Sequence, residues 1–393
     1  MRPIYINLLT IIILFSLIST PVFSQNNQYS ISGKIVDASN NSPVEFANIG
    51  IKGTFLGTAS DIDGMFKLTL NDKYSDYDAV ISAVGYQTKK LKVGKLSGDA
   101  MQTINLTPVR YGISQVDIKA QSMVLYGIIK SAENLIRQNY ITEPFEYNTF
   151  FLSENKKNNN KTEAVISVAD SEGYRDRTYT AAFVDRSYKI DEIRRNFEVK
   201  PIDEGVCDVE FMLLFDIARV RGNILDSAGL FGFELKLEDI TVFTGDSIWA
   251  ISYKNSKPDF SNTGNRNVTQ YSGVIYISKT TNAVVRNELD IETDGHFQYG
   301  YTAYYNDEII SKSVIKASYK VVTLYRKDSE GKYMLSSVGV DKVFSGSDGK
   351  ELNVHESMKV LEVEKGKSTI KSQREYYSDK PVDKKFWERF TIP

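Results

Sequence analysis

From Tyr29 to about Leu106 the chain reads as short runs of alternating apolar and polar residues, each stopped by turn formers. No other feature narrows the fold as far. Period-two alternation fits a strand with one covered face, and its recurrence at roughly ten-residue spacing is the rhythm of a small two-sheet sandwich. "YSISGKIVD" is a strand ending at Asp37, and "ASNNSP" is a polar turn. "VEFANIGIKGT" is a second strand punctuated by Gly53, and "MFKLTL" follows the turn "DIDG". "DAVISAVGYQTKKLKV" supplies two more strands, split near Gly85, and "MQTINLTPV" closes a set of six or seven.

Asp61, Asp63 and Gly64 raise the question of a calcium loop. An EF-hand-type loop needs further oxygen ligands beyond its glycine and a distal Glu. Here Met65, Phe66, Lys67 and Leu68 follow at once and belong to the next strand. Asp and Gly are also the residues that tolerate positive φ and cap tight turns. The stretch reads as a turn, with a metal loop as the alternative.

Gly33, Asp37, Pro43, Ala47-Asn48, Gly53-Thr54, Gly57-Thr58, Asp61, Asp63-Gly64, Phe66 and Gly85-Tyr86 form an ordered series. It resembles the carboxypeptidase-regulatory-like domain of Bacteroidetes envelope proteins. That resemblance spans about a fifth of the chain. It implies a prealbumin-like Greek-key β-sandwich, itself non-catalytic, of the kind that precedes barrels or other modules in TonB-dependent receptors. A receptor barrel would need many hundreds of further residues, so the remainder is expected to be something else.

"TPVRYGISQVDIKAQS" then reads as a connector. In "SMVLYGIIKSAENLIRQNY", Val124, Leu125, Ile128, Ile129, Ala132, Leu135 and Ile136 fall three or four apart. That spacing predicts a helix with one apolar face, N-capped by Ser122, ending near Asn139 and packed on a sheet. From Phe145 to Val382 the signals are mostly strands. Ile315, Ala317, Tyr319 and Val321 share one face, as do Val285, Leu289 and Ile291. Such one-sided alternation fits an antiparallel sheet with one covered face. "VEFMLLFDIARVRGNILDSAGLF" interrupts it with one or two expected short helices, and "KNSKPDFSNTGNRN" reads as a mobile polar loop. The cadence from Gly273 to Arg286 resembles the wrapped sheet of outer-membrane lipoprotein-carrier half-barrels. The likeness implies a curved sheet whose concave face can hold an acyl chain or another apolar ligand.

Bulk properties remove several classes. The 48 basic and 50 acidic residues nearly cancel, which gives little electrostatic drive towards nucleic acid. One cysteine, Cys207, excludes an intramolecular disulfide framework and reads as a buried thiol. Arg2, the apolar run Leu8–Ile18, Val22 and Ser24 form a secretory signal with cleavage before Gln25. No second long apolar run follows.

Catalysis needs titratable groups that converge, and the sequence singles out none. His296 and His355 lie far apart without motif context, and zinc would want three or four ligands. "SEGYRDR" places Arg175 and Arg177 beside Tyr174, which could grip an anion but reads better as a solvated strand edge. The terminal Phe386, Trp387 and Phe390 read as a strap over the core. The sequence therefore predicts a mainly β protein. Its parts are a signal peptide (1–24), a β-sandwich (25–108), a linker (109–121) and a larger antiparallel half-barrel-like sheet with packed helices (122–393). The expected function is non-enzymatic binding or assembly at the periplasm or outer membrane, with an envelope protein or an apolar or lipid ligand as partner. No catalytic, cofactor or metal residue is assigned, and the ligand-binding residues stay open. The alternatives are a surface glycan- or protein-adhesion module, or a hydrolase using unassigned carboxylates.

Overall fold

The computed structural model describes residues 28–54, 56–96, 101–109, 118–155, 157, 159–175, 186–197, 209–264, 267–295, 314–347, 349–366, 370 and 382–390. The signal segment, Cys207, His296, Arg177 and most of the expected linker lie outside these residues.

Seven strands build the N-terminal unit: β1 (Gln28–Asp37), β2 (Asn48–Ile51), β3 (Gly57–Ala59), β4 (Met65–Asn71), β5 (Asp78–Ser82), β6 (Lys89–Lys92) and β7 (Gln102–Leu106). A one-turn helix, α1 (Val93–Leu96), precedes β7. One sheet runs β4-β1-β7 and the other β3-β2-β5-β6. Ile31, Ile35, Phe66 and Leu68 from the first meet Ile49, Ile51 and Ile81 from the second in one core. The alternating residues sit inside because each strand has a single covered face. The turn before β4 is local chemistry. Asp61 Oδ1 accepts from the amides of Asp63 at 3.0 Å and Met65 at 2.8 Å. Gly64 has φ 75°, and a Cβ there would lie 2.4 Å from the Ile35 carbonyl oxygen. That residue has to be glycine.

The helix α2 (Ile118–Asn134) and the short α3 (Ile136–Asn139) follow. Leu125, Ile129, Ala132 and Ile136 are buried, whereas Val124 is 60% exposed. The helix starts four residues before Ser122, so Ser122 is an interior residue rather than the expected cap.

Ten strands then form one antiparallel sheet: β8 (Phe145–Asn155), β9 (Asn160–Asp170), β10 (Arg186–Arg195), β11 (Phe233–Phe243), β12 (Asp246–Asn255), β13 (Val268–Ser278), β14 (Val284–Asp294), β15 (Val314–Lys327), β16 (Tyr333–Gly346) and β17 (Glu351–Lys365). Their order is β10-β9-β8-β17-β16-β15-β14-β13-β12-β11. The last strand returns to pair with the first, and the sheet stays open with β10 and β11 as edges. Between β10 and β11 come α4 (Val209–Leu214) and a 3₁₀ turn at Leu230–Gly232. The expected loop near Pro258 instead contains α5 (Phe260–Thr263), held by a reciprocal cap between Asp259 and Asn262. Local side-chain acceptors gave this polar stretch a helical turn. A final helix, α6 (Lys384–Arg389), ends the described chain.

One core joins the inner face of all ten strands to α2 and to residues 209–230. The opposite, outer face carries the sandwich and α6, through contacts described below.

Candidate functional site

The inner face, where the half-barrel likeness would put an apolar ligand, is filled by the chain itself. Met212, Leu213, Ile217, Ala218, Ile224 and Leu225 are all at most 2% exposed against it. A buried ionic network fastens this segment. Asp216 Oδ2 accepts from Arg186 Nη2 at 2.6 Å and from the Tyr174 hydroxyl at 3.1 Å, and its Oδ1 accepts from the Tyr325 hydroxyl at 2.9 Å. Asp170 Oδ2 accepts from Arg186 Nε and Arg219 Nε, both at 2.9 Å. Burial alone would raise the Asp170 carboxyl, but Arg186 and Arg219 outweigh it and hold the group below the usual carboxylate range. A second buried pair, Lys342 to Glu356 at 2.5 Å, lies under the Phe211 ring of α4, with Lys342 Nζ 4.0 Å from the ring centre. The gap left between Phe215, Ile217, Tyr271 and Leu289 is about 30 Å³. That is room for roughly one water.

The outer face is different. Strand β3 packs across β16 and β17. Phe46, Ala59 and Leu324 form a small apolar cluster with Val322. Gly339 lets the Phe46 ring approach, since a Cβ there would sit 2.8 Å from its Cε1. Gly57 does the same for the Arg326 guanidinium, 2.8 Å from its Nη1. The Ser336 hydroxyl donates to Asn48 Oδ1 at 2.7 Å, and the Gly85 amide donates to the Val242 carbonyl of edge strand β11 at 3.0 Å. Burial pushes the Lys359 ammonium down to about 8, although nearby Asp61 favours its charge.

Two clefts open along this seam. One, about 430 Å³, lies between Asn48, Gly50–Thr54, Leu56, Val80 and Ser82 of the sandwich and Phe243, Thr244, Arg326–Asp328 and Tyr333 of the sheet. The other, about 380 Å³, lies between Pro43–Glu45 and Ala83–Tyr86 on one side and Glu238, Asp239, Tyr276, Arg286 and Glu288 on the other. Both volumes fall in the range of small-molecule sites. In the second cleft Arg286 Nε meets Glu288 Oε1 at 2.7 Å, and the Tyr276 hydroxyl donates to the same oxygen at 3.0 Å. Glu238 is held below its usual range by the Ser252 hydroxyl and Lys236.

Residues 31–116 match the family model of the CarboxypepD_reg-like domain. The sandwich is a CarboxypepD_reg-like domain. No curated protein matches the chain. Among solved structures, an outer membrane lipoprotein-sorting protein domain from Vibrio parahaemolyticus aligns at TM-score 0.28 and 6% identity, covering 62% of this chain and 93% of that one. A DUF1329 family protein from Desulfovibrio piger aligns at TM-score 0.28 and 10% identity, over 64% and 94%. MucB, solved in complex with MucA(peri), aligns at TM-score 0.18 and 12% identity, over 62% and 99%. At such scores none of them identifies a ligand for this chain.

The residues singled out from sequence fall in unrelated places. Asp61 and Asp63 belong to the turn of the CarboxypepD_reg-like domain, where Asp61 binds backbone amides and faces Lys359. His355 Nδ1 lies 2.8 Å from Asp341 Oδ1 across β16 and β17. Where a strand edge is expected, residues 171–175 form a turn after β9: Tyr174 is fully buried, Arg175 is exposed, and the Arg175 carbonyl accepts from Arg137 Nε at 3.0 Å. A buried acceptor at Asp216 pulled Tyr174 inward. Trp387 and Phe390 do form a strap, on the outer face of β8–β10, with Arg194 4.3 Å over the Trp387 ring and Phe390 against Phe150 at 5.9 Å. Sequence reasoning missed Asn48, Arg326 and Gly339 at the seam. The signal for Arg326 and Gly339 was a cation or a glycine on the pattern of an otherwise apolar strand, and for Asn48 a lone amide on a strand of buried residues.

Proposed function

We propose that the protein is a non-enzymatic binding or assembly protein of the cell envelope, and that it engages its ligand or partner along the seam between two domains, 25–108 and 122–393. The observation that supports this reading is the contrast between the two faces of the large sheet. Among the described residues, residues 209–230 pack on the inner face with a gap of about 30 Å³ beside them, whereas the seam on the outer face keeps clefts of about 430 and 380 Å³ lined by both domains. Sites between domains are the common place for a ligand. The secretory pattern of residues 1–24 supports the envelope location. An acyl chain on the inner face would require residues 209–230 to leave it. For an adhesion surface one would look for a stripe of Tyr and Trp, but the exposed large aromatics among the described residues are the scattered Tyr77, Phe231 and Phe260.

The test is site-specific photo-crosslinking in cells that export the full chain. A crosslinker at Lys327 or Glu238, on the seam, is expected to yield adducts that one at exposed Ile315 does not. Equal or absent adducts at all three positions would count against the seam. Organic extraction of protein purified without detergent then tells lipid from protein partners. Stoichiometric lipid that persists when the seam is blocked would return attention to the inner face.

A further inference from the structure

Resting on the seam reading, we propose that the larger cleft binds an amphiphile: an apolar body ending in one anionic, oxygen-bearing head, a carboxylate or a phosphate monoester. Its walls are mixed in a way that specifies both halves. Ile51, Leu56 and Val80 from the CarboxypepD_reg-like domain face Phe243 and Tyr333 from the sheet. These offer apolar surface to a hydrocarbon or ring. Gly50 sits in the middle of β2 on this cleft, and a Cβ built there would have nothing within 4 Å. The strand thus presents bare backbone where a side chain would fit, which leaves the space to a ligand.

The polar half is cationic. Arg326 is buried, and Lys52 and Lys327 are exposed at the rim. Against these three cations stands one lining carboxylate, Asp328, and it is engaged elsewhere. Its Oδ2 lies 2.5 Å from Lys365 Nζ, and its Oδ1 accepts from the amides of Glu330 at 2.9 Å and Lys332 at 2.8 Å. Asn48 adds an independent pointer. It is only 5% exposed and lines the cleft; its Oδ1 is taken by Ser336, while its Nδ2 has no acceptor among the described residues. A buried donor left without an acceptor is costly, so a ligand oxygen here gains more than one at the open surface. Burial also draws the Arg326 guanidinium down to about 10, so an anion beside it is less screened than one at an exposed arginine. A free inorganic anion would use the cations and the amide but leave the apolar walls uncovered. A neutral amphiphile would do the reverse.

The test is calorimetric titration of the full mature chain with four probes: dodecanoate, dodecyl phosphate, inorganic phosphate and neutral dodecyl maltoside, the amphiphiles below micelle formation. Saturable one-to-one binding of dodecanoate or dodecyl phosphate is expected, weakening with salt, and the preferred one names the head. Arg326→Met is expected to weaken binding about tenfold or more, the scale of one charge-assisted hydrogen bond. Should that variant fold poorly, Lys52→Gln with Lys327→Gln, both exposed, is expected to lower affinity several-fold and flatten the salt dependence. Gly50→Trp fills the cleft and is expected to abolish binding. Equal binding of the maltoside, still blocked by Gly50→Trp, would overturn the anionic head yet leave the seam reading standing. Inorganic phosphate binding as tightly as dodecyl phosphate would overturn the apolar body. Binding that survives Gly50→Trp, or no binding of any probe, would overturn the site itself, while seam crosslinks would still report on the wider reading.

Discussion

Removing the Asp216 carboxylate tests whether residues 209–230 are a fixed part of the inner face. Asp216 and Asp170 together balance Arg186 and Arg219, and all four side chains are at most 2% exposed. In Asp216→Ala the cluster carries one uncompensated positive charge, and the Tyr174 and Tyr325 hydroxyls lose their acceptor. Breaking a buried pair by deleting one partner costs about 3–5 kcal/mol. An exposed pair such as Lys316–Glu292, at 2.8 Å, sets the control, and Glu292→Ala should cost about 1 kcal/mol or less. Urea unfolding followed by tryptophan fluorescence reads the difference cleanly, because both tryptophans, Trp249 and Trp387, belong to the sheet region. A loss below about 1 kcal/mol for Asp216→Ala would refute the idea that this network fixes residues 209–230 in place. The same network sets an acid limb. Asp170 is held below its usual value, so its stabilisation is complete above the unfolded Asp pKa of about 3.9 and is lost as pH falls from there through the folded value. Asp170→Asn should remove that limb.

Three further outcomes follow from the outer face. Lys359, pushed down to about 8, binds fewer protons folded than unfolded between pH 8 and about 10.4, so stability should rise with pH across that window. Lys359→Met should therefore add about 3 kcal/mol at pH 7 and lose its advantage towards pH 10, as compared by paired urea curves. Gly339→Leu drives a side chain into the Phe46 ring and should undock the CarboxypepD_reg-like domain; small-angle scattering should show a longer molecule while the tryptophan-monitored transition moves little. Trp387→Ala removes the seat of Arg194 and should cost about 3–5 kcal/mol, with faster hydrogen exchange in β8 to β10. Unchanged exchange would mean that the strap is not holding that edge.

What could be read from sequence was whatever local pattern determines. Ala317, Tyr319 and Val321 lie inside as their alternation predicts. Ile315, on the same phase, is 59% exposed, because covering a strand end depends on what else reaches it. The sites were harder. Asp170 and Arg219 are 49 positions apart, and Asn48 and Ser336 are 288 apart, so no spacing rule links them. Lys342, on the same phase as Val338, Val340 and Phe344, was the visible hint that this face hides a counter-charge.

The two faces also differ in how they use polar groups. Apolar residues of equal volume would hold 209–230 against the sheet at least as well as the Asp–Arg network does. What the charges add is position, because Arg186 reaches both Asp170 and Asp216 in one register of β9, β10 and the crossing segment. A site that had to admit a ligand would be poorly built this way, since opening it would strand two carboxylates that each take at least three hydrogen bonds. The seam differs in keeping open volume beside its buried polar groups. Asn48 Nδ2 is buried without a partner among the described residues, on a cleft where Gly50 leaves the space of a side chain open. A buried polar atom without a partner next to open volume is what a group from outside would complete, and this supports the proposal that binding takes place on the face that the CarboxypepD_reg-like domain covers.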